Sequence, residues 1–449
     1  MIYDVAIIGG GPVGLSAVGN LAPKGKSIVM FEKNRTGGVC LNEGCMPTKA
    51  LLHSANVLDT VQNANKFGIH IEGKVNFNYK EVAQRKNQLI EALYAGSSKN
   101  MKAAGIELIN EEAHLYGENS DGTVQIKAGD KIYTAKNVIL ASGSENFVPP
   151  IPGLDETPFI SSREALQLEE APKSLTVIGG GVLGVEFGTL FAKFGTKVDL
   201  IEMADEILPS MDKEFAGILR EYYAKQGINF HLQAKAKSVK DGVVTIEKDG
   251  KEVSIDNEKI LLAVGRRPSI NKLNLASLGI KSVNGAIIVD NRMKTSHPNV
   301  YAAGDLIGGS MLAHTGLHEG TVAAQAILGN LHKLNYNAIP GVVYTNPELA
   351  AVGATEEKLK ADGVEYDKIV APLAMSGRYV LDNDFETPGM LKVLVDKNRH
   401  ILGVHILGNP ASELIAIGAI AIAKEMTADE LKSIVFPHPT VSGIFSSAL

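Results

Sequence analysis

The segment Gly37-Gly38-Val39-Cys40-Leu41-Asn42-Glu43-Gly44-Cys45-Met46-Pro47-Thr48-Lys49 holds both cysteines of a 449-residue chain. Two thiols five positions apart can close a small redox ring. They stand ahead of a run with helical spacing, Pro47 to Leu58, and Pro47 suits its first turn. Amides at a helix N-terminus favour a thiolate and draw its pKa below the free value of about 8.5. The competing readings are two inert buried cysteines or half of a metal site. A zinc site would need several His ligands, and no His spacing here matches one, so no metal is expected. Lys49, four residues after Cys45, reaches the same face of the helix one turn on; alone it reads as a solvated lysine. His438 stands between Pro437 and Pro439 in Phe436-Pro-His-Pro-Thr440, which predicts an extended, rigid segment. Its imidazole titrates in the range disulfide exchange requires, though a lone His is as readily structural.

The elements that must position these groups are announced by an internal repeat. Residues 3–32 read YDVAIIGGGPVGLSAVGNLAPKGKSIVMFE, and residues 173–202 read KSLTVIGGGVLGVEFGTLFAKFGTKVDLIE. Gly9, Gly11, Gly14 and Glu32 recur as Gly179, Gly181, Gly184 and Glu202, each at an offset of 170. Each copy reads strand, glycine turn, helix, strand, acid, which is a βαβ unit. In such a unit the first Gly permits the tight turn, the second admits a pyrophosphate, and the third lets helix pack on strand. The acid takes the ribose hydroxyls. Glu202 is followed by Met203, with no Arg before Pro209, which favours NAD over NADP. Two dinucleotide sites on one chain suggest hydride passing between a nicotinamide and a second carrier, most often a flavin.

NVILASGS (137–144) and KILLAVGRRP (259–268) are further strands closing on Ala-x-Gly, at Gly143 and Gly265. NVYAAGD (299–305) is another, ending on Asp305. The Pro-rich VPPIPGL after Ser144 reads as a linker. From about residue 340, strand-like runs precede a helix over 412–424. The predicted fold class is α/β: two doubly wound Rossmann-like domains plus a C-terminal α+β domain. The boundaries fall at 1–145, 146–265, 266–337 and 338–449.

Composition narrows the function classes. Hydrophobic residues make up 45% of the chain and charged residues 21%, and the formal net charge is −6. With no basic tract, nothing argues for nucleic acid or an anionic membrane surface. The longest apolar run, near LIAIGAIAIA, is too short for the roughly 20 residues of a membrane span and reads as a buried or interface helix. The N-terminus enters a strand pattern at once, without a targeting segment. A cytoplasmic location is expected, where a lasting structural disulfide is unusual and a redox pair is favoured.

The motifs GGGPVG, GGVCLNEGCMPTKALL, ASGS, GGGVLGVEFG, AVGRRP, AAGD, VVYTNPELAAVG and HPT run in order across nearly the whole chain. In this the chain resembles the pyridine nucleotide-disulfide oxidoreductase family, most closely its dihydrolipoamide-oxidising members. The resemblance implies an FAD-binding domain over 1–145, completed by 266–337, an NAD-binding domain over 146–265, and a dimerisation domain over 338–449. It implies that Gly9, Gly11, Gly14, Glu32, Gly143 and Asp305 bind FAD, and that Gly179, Gly181, Gly184, Glu202 and Gly265 serve NAD. Cys45 would lie against the flavin and Cys40 would exchange with substrate. Lys49 and Glu186 would pair beside the flavin, and His438 would move protons to the thiols from the partner subunit of a homodimer. The implied reaction oxidises protein-bound dihydrolipoamide and reduces NAD, with a lipoyl-bearing protein of a 2-oxo-acid dehydrogenase or glycine-cleavage complex as partner.

The chain departs from the family at one telling place. The family usually has a Glu five residues after the motif His; here that position is Gly443, and Ser442 beside it is a poor substitute. The alternatives are therefore an NADH-dependent reductase of another small disulfide, or a flavoprotein with weakened lipoamide turnover. Glu202 argues against the usual NADPH-dependent glutathione reductases. A C-terminal cysteine pair, as in mercuric reductases, is absent.

Overall fold

The computed structural model describes residues 1–449, and the chain resolves into two compact units, each discontinuous in sequence. The fold is α/β, with two nucleotide-type sheets and a C-terminal domain of sheet and helix, as the repeat implies. No helix is long and apolar enough to cross a membrane.

The first unit comprises residues 1–50, 84–147 and 265–334. Its seven-stranded sheet runs Glu107–Ile109, Ile28–Phe31, Ile2–Ile8, Lys131–Leu140, Val124–Ala128, Ala113–Glu118, with Val300–Ala302 also on Lys131–Leu140. The strand Lys131–Leu140 divides its bonding. Its first half pairs antiparallel with Val124–Ala128, and its last residues pair parallel with Val300–Ala302. Val5, Ala6 and Ile7 are wholly buried because both faces of this parallel region are covered, which is why the segment reads as a continuous apolar run. Helices Pro12–Leu21 and Ala313–Ile327 approach closely: a Cβ on Gly320 would lie 2.5 Å from the Val13 carbonyl oxygen.

The second unit comprises residues 51–83, 148–264 and 335–449. Its parallel sheet is ordered Asn229–His231, Lys197–Ile201, Ser174–Ile178, Lys259–Leu262. An antiparallel meander, Lys235–Lys240, Val243–Lys248 and Lys251–Asp256, accompanies it. The C-terminal sheet is ordered Gly341–Val343, Leu349–Gly353, Ile401–Leu407, Met390–Val395, Asp367–Pro372. Its central strand, Ile401–Leu407, is not among the strands read from the sequence. The apolar helix is found at Ala411–Ala423; one face is buried through Leu414, Ile415, Gly418 and Ile422, while Ile420 is 60% exposed.

Lys392, on the strand Met390–Val395, is fully buried. Its Nζ lies 2.8 Å from Asp212 Oδ2, Glu214 Oε2 and Glu356 Oε1. Asp212 also caps the helix Lys213–Lys225 by accepting from the Phe215 amide. One ammonium thus ties that helix to the C-terminal sheet.

Candidate active site

The two glycine loops fold alike. Gly9 and Gly179 have φ of +116° and +110°. A side chain on either would run into the carbonyl of Ala141 or Ala263, at the end of the neighbouring strand. Gly14 and Gly184 press against the carbonyls of Gly9 and Gly179, which brings each helix down on its strand. Gly11 and Gly181 are the N-caps of helices Pro12–Leu21 and Val182–Lys193, and neither cap is made by a side chain. Both acids are held by two backbone amides. Glu32 accepts from Gly10 and Asn34 at 2.8 Å each; Glu202 accepts from Gly180 at 2.6 Å and Ala204 at 2.8 Å.

Asp305 sits in a short turn, Gly304–Ile307, and accepts from the Ser144 hydroxyl. Arg266 braces Ser144, donating to its hydroxyl and its carbonyl at 2.7 Å each and to Asn146 Oδ1 at 2.6 Å. Those residues belong to the paired strands Ser144–Asn146 and Arg266–Pro268. Gly143 (φ +71°) and Gly265 (φ +106°) precede them, in the turns that follow their respective sheets. Glu319, a buried carboxylate that sequence reasoning missed, accepts from the Gly304 amide at 2.6 Å and so holds the turn that carries Asp305. Nothing in its local sequence marks it.

The thiols are brought together, but not both ahead of one helix as expected. Cys40 lies inside a short helix, Gly38–Glu43, and Cys45 opens the next, Cys45–Gln62. Both are half-buried free thiols. A hydrogen bond between the two side chains pushes the Cys40 pKa well up. Burial and negative charge on Cys45 add to the rise, and the Lys49 ammonium opposes it. Cys40 thus keeps its proton, and it needs a base before it can act as a nucleophile. The cysteine helix is anchored on the first glycine loop. Gly37 donates to the Gly10 carbonyl at 2.8 Å, and a Cβ on Gly38 would lie 2.8 Å from Gly11 Cα.

Lys49 stands on the helix Cys45–Gln62 in the first unit; Glu186 belongs to the second. Glu186 is fully buried in the helix Val182–Lys193, and its Oε1 accepts from the Tyr344 amide at 2.9 Å. His438 is exposed, three residues after Val435, which is 94% exposed. Beyond Thr440, Val441–Gly443 is a 3-10 turn leading into the helix Ile444–Ala448. Ser442 pairs its hydroxyl with Thr440 at 2.8 Å. Gly443 has φ −58° and ψ −15°, which any residue adopts, and a Cβ there would meet nothing within 4 Å.

These residues fit dinucleotides. Each loop offers uncapped helix amides beside glycines and a carboxylate fixed for ribose hydroxyls. No atom lies within 4 Å of a Cβ built on Gly181, so a phosphate can approach its backbone. In the first unit the Thr36 hydroxyl and the acceptor Asn42 Oδ1 are buried without a partner in the protein, as polar groups awaiting a ligand are.

Relatives carry the same organisation. Dihydrolipoyl dehydrogenase of Geobacillus stearothermophilus is 38% identical over 99% of this chain and 95% of its own length. Dihydrolipoyl dehydrogenase 3 of Pseudomonas putida is 37% identical over 98% and 96%. Among solved structures, LpdA from Mycobacterium tuberculosis superposes with a TM-score of 0.90 at 26% identity, covering 100% of this chain and 99% of that one. The HOCl-induced flavoprotein disulfide reductase RclA from Escherichia coli, solved as a Cu(II) complex, gives 0.86 at 28% identity, covering 99% of each. Residues 3–320 match the model of the pyridine nucleotide-disulphide oxidoreductases, and residues 339–449 match the dimerisation domain of the same name. With both glycine cradles and the paired thiols in place, the chain belongs to the pyridine nucleotide-disulphide oxidoreductase family.

Proposed function

We propose that this chain oxidises protein-bound dihydrolipoamide to lipoamide and reduces NAD to NADH, using FAD and the Cys40–Cys45 pair. The observation that carries the reading is the thiol pair: two cysteines sharing a hydrogen bond, on successive helices of which the first packs against a dinucleotide loop. Full-length relatives bearing the dihydrolipoyl dehydrogenase name support it. Residues 1–145 and 266–337 form the FAD domain, 146–265 the NAD domain, and 338–449 the dimerisation domain of a homodimer. The FAD cradle is Gly9, Gly11, Gly14, Glu32, Gly143 and Asp305. The NAD cradle is Gly179, Gly181, Gly184, Glu202 and Gly265.

A thiolate of the dihydrolipoyl group attacks Cys40 in the Cys40–Cys45 disulfide, and Cys45 leaves as thiolate. The second substrate thiolate then attacks its own mixed-disulfide sulfur, closing lipoamide and releasing Cys40. His438, from the partner subunit, takes the proton of one substrate thiol, and the departing Cys40 thiolate takes that of the other. Lys49 holds positive charge near the departing Cys45 thiolate, and Glu186 is the acid the family pattern assigns to this chemistry. FAD, held by Gly9, Gly11, Gly14, Glu32 and Asp305, would supply two-electron transfer between the dithiol and NAD. The partner is a lipoyl-bearing protein of a 2-oxo-acid dehydrogenase or glycine-cleavage complex, met in the cytoplasm.

The test is anaerobic oxidation of dihydrolipoamide with NAD by the FAD-loaded protein across pH. Robust NADH formation supports the reading. NADH-driven dye reduction without lipoamide turnover would point to another disulfide or to a thiol half-reaction weakened at Gly443.

A further inference from the structure

Asn42 lies between the two cysteines, on the short helix Gly38–Glu43, and has no part in the chemistry above. Its Nδ2 donates to two backbone carbonyls, Thr36 at 3.1 Å and Gly38 at 2.9 Å. Those bonds fix the orientation of the amide, because a flipped group would face two carbonyls with an oxygen. The remaining atom, Oδ1, is buried with no partner in the protein. A buried acceptor in that condition is paired in the working molecule by a ligand or a water. The turn that Asn42 clamps also touches the nucleotide loop, through the Gly37 amide on Gly10 and the approach of Gly38 to Gly11. Thr36, in the same turn, adds a second buried polar group without a partner, the Oγ1 hydroxyl.

We propose that Asn42 is a positioning residue coupling the flavin cradle to the thiols. Its Oδ1 accepts a hydrogen bond from a hydroxyl or N–H of the bound flavin nucleotide, and its Nδ2 holds the turn that sets Cys40 against Cys45. This rests on the flavin–dithiol reading above. The helix bearing Cys40 has no side-chain N-cap, so the two Asn42 bonds are side-chain ties at its start. Without them Cys40 ranges further from Cys45, the effective concentration of one thiol at the other falls, and the dithiol gains over the disulfide.

The experiment compares purified holoprotein with Asn42→Leu, which keeps the bulk and removes every hydrogen bond. FAD retention is measured by the flavin fluorescence released on dialysis. The Cys40–Cys45 equilibrium is measured in dithiothreitol buffers of set ratio by alkylation and mass. Asn42→Leu is expected to weaken FAD retention at least tenfold and to move the equilibrium roughly tenfold toward dithiol, about 30 mV for a two-electron couple. Thr36→Val, which removes the hydroxyl but keeps the backbone carbonyl that Asn42 holds, is expected to weaken FAD retention and leave the thiol equilibrium alone. A folded Asn42→Leu with either readout unchanged overturns the coupling, as does a Thr36→Val that shifts the thiols equally. Should Asn42→Leu not fold, Asn42→Asp serves: it keeps an oxygen at Oδ1 and repels both carbonyls, so it must shift the thiols more than the flavin. A wild-type protein that holds no flavin, or forms no Cys40–Cys45 disulfide, sinks the underlying reading instead.

Discussion

Gly38 stands against Gly11 so closely that a Cβ on Gly38 would lie 2.8 Å from Gly11 Cα. Gly38 also has φ +59°. Gly38→Ala therefore combines a clash with a left-handed backbone, costing roughly 1–3 kcal/mol. The expected result is a lower Tm together with faster loss of flavin. Gly19→Ala, in the helix Pro12–Leu21 where a Cβ meets nothing, should hold or raise Tm, since Ala replaces Gly in a helix.

In the proposed reaction Cys40 and His438 serve the thiol exchange alone. Cys40→Ser and His438→Gln should each lower lipoamide turnover by at least about a hundredfold, the scale on which acid–base groups act. NADH oxidation by an artificial dye acceptor should survive in both, because that route bypasses the thiol exchange. Parallel loss of both activities would remove these residues from the assigned roles.

At Gly443 the backbone is helical and the space beyond it open, so Gly443→Glu should fold as well as the parent. A carboxylate there can orient the His438 imidazole, as the acid does in hydrolase triads. The variant is expected to raise kcat with lipoamide at least tenfold and to change the pH–rate profile. An identical profile in parent and variant would show that His438 needs no acid.

The buried ammonium of Lys392 predicts a stability phenotype remote from the chemistry. Lys392→Met leaves Asp212 buried without its cation, while Glu356 keeps Lys368 and Tyr366, and should cost about 3–5 kcal/mol, read in urea unfolding. The linked pH effect has a definite sign. Burial pushes the Glu356 carboxyl up, but hydrogen bonds from Lys392 and Tyr366 outweigh it and bring its pKa to about 2. A depressed carboxyl stabilises above its unfolded value of about 4.3 and loses that contribution as pH falls through the folded one. The stability gap between wild type and Glu356→Gln should therefore be widest near neutrality and narrow between pH 5 and 2.

Much of this was legible because the informative residues are neighbours in sequence. The cradles are written in glycines whose spacing is dictated by one turn and one helix, and the cysteine motif is continuous. The β-branched runs before each glycine turn mark strands buried on both faces. Other features left no such trace. Asp212, Glu214, Glu356 and Lys392 meet only after three separate segments of the chain fold together, and each alone reads as a surface charge. Glu319 holds the Asp305 turn from another element, so no spacing rule finds it. Asn42 stood in plain view in the cysteine motif, yet its orphaned oxygen is a fact of packing. The helix start at Cys45 was also misjudged, because Gly44 ends one short helix immediately before another begins.

The strand Lys131–Leu140 takes its last partner from Val300–Ala302, while residues 148–264 fold into the other unit. On the ribosome, the Ser174–Ile178 sheet can close as soon as Lys259–Leu262 has emerged. The earlier-made sheet must wait, with Val138, Ile139 and Leu140 still lacking that neighbour. A nascent chain stalled before residue 300 thus carries an open, apolar strand edge, the feature most prone to pair with another chain. Synthesis order and completion order are reversed between the two sheets, and chaperone dependence should be greatest in that interval.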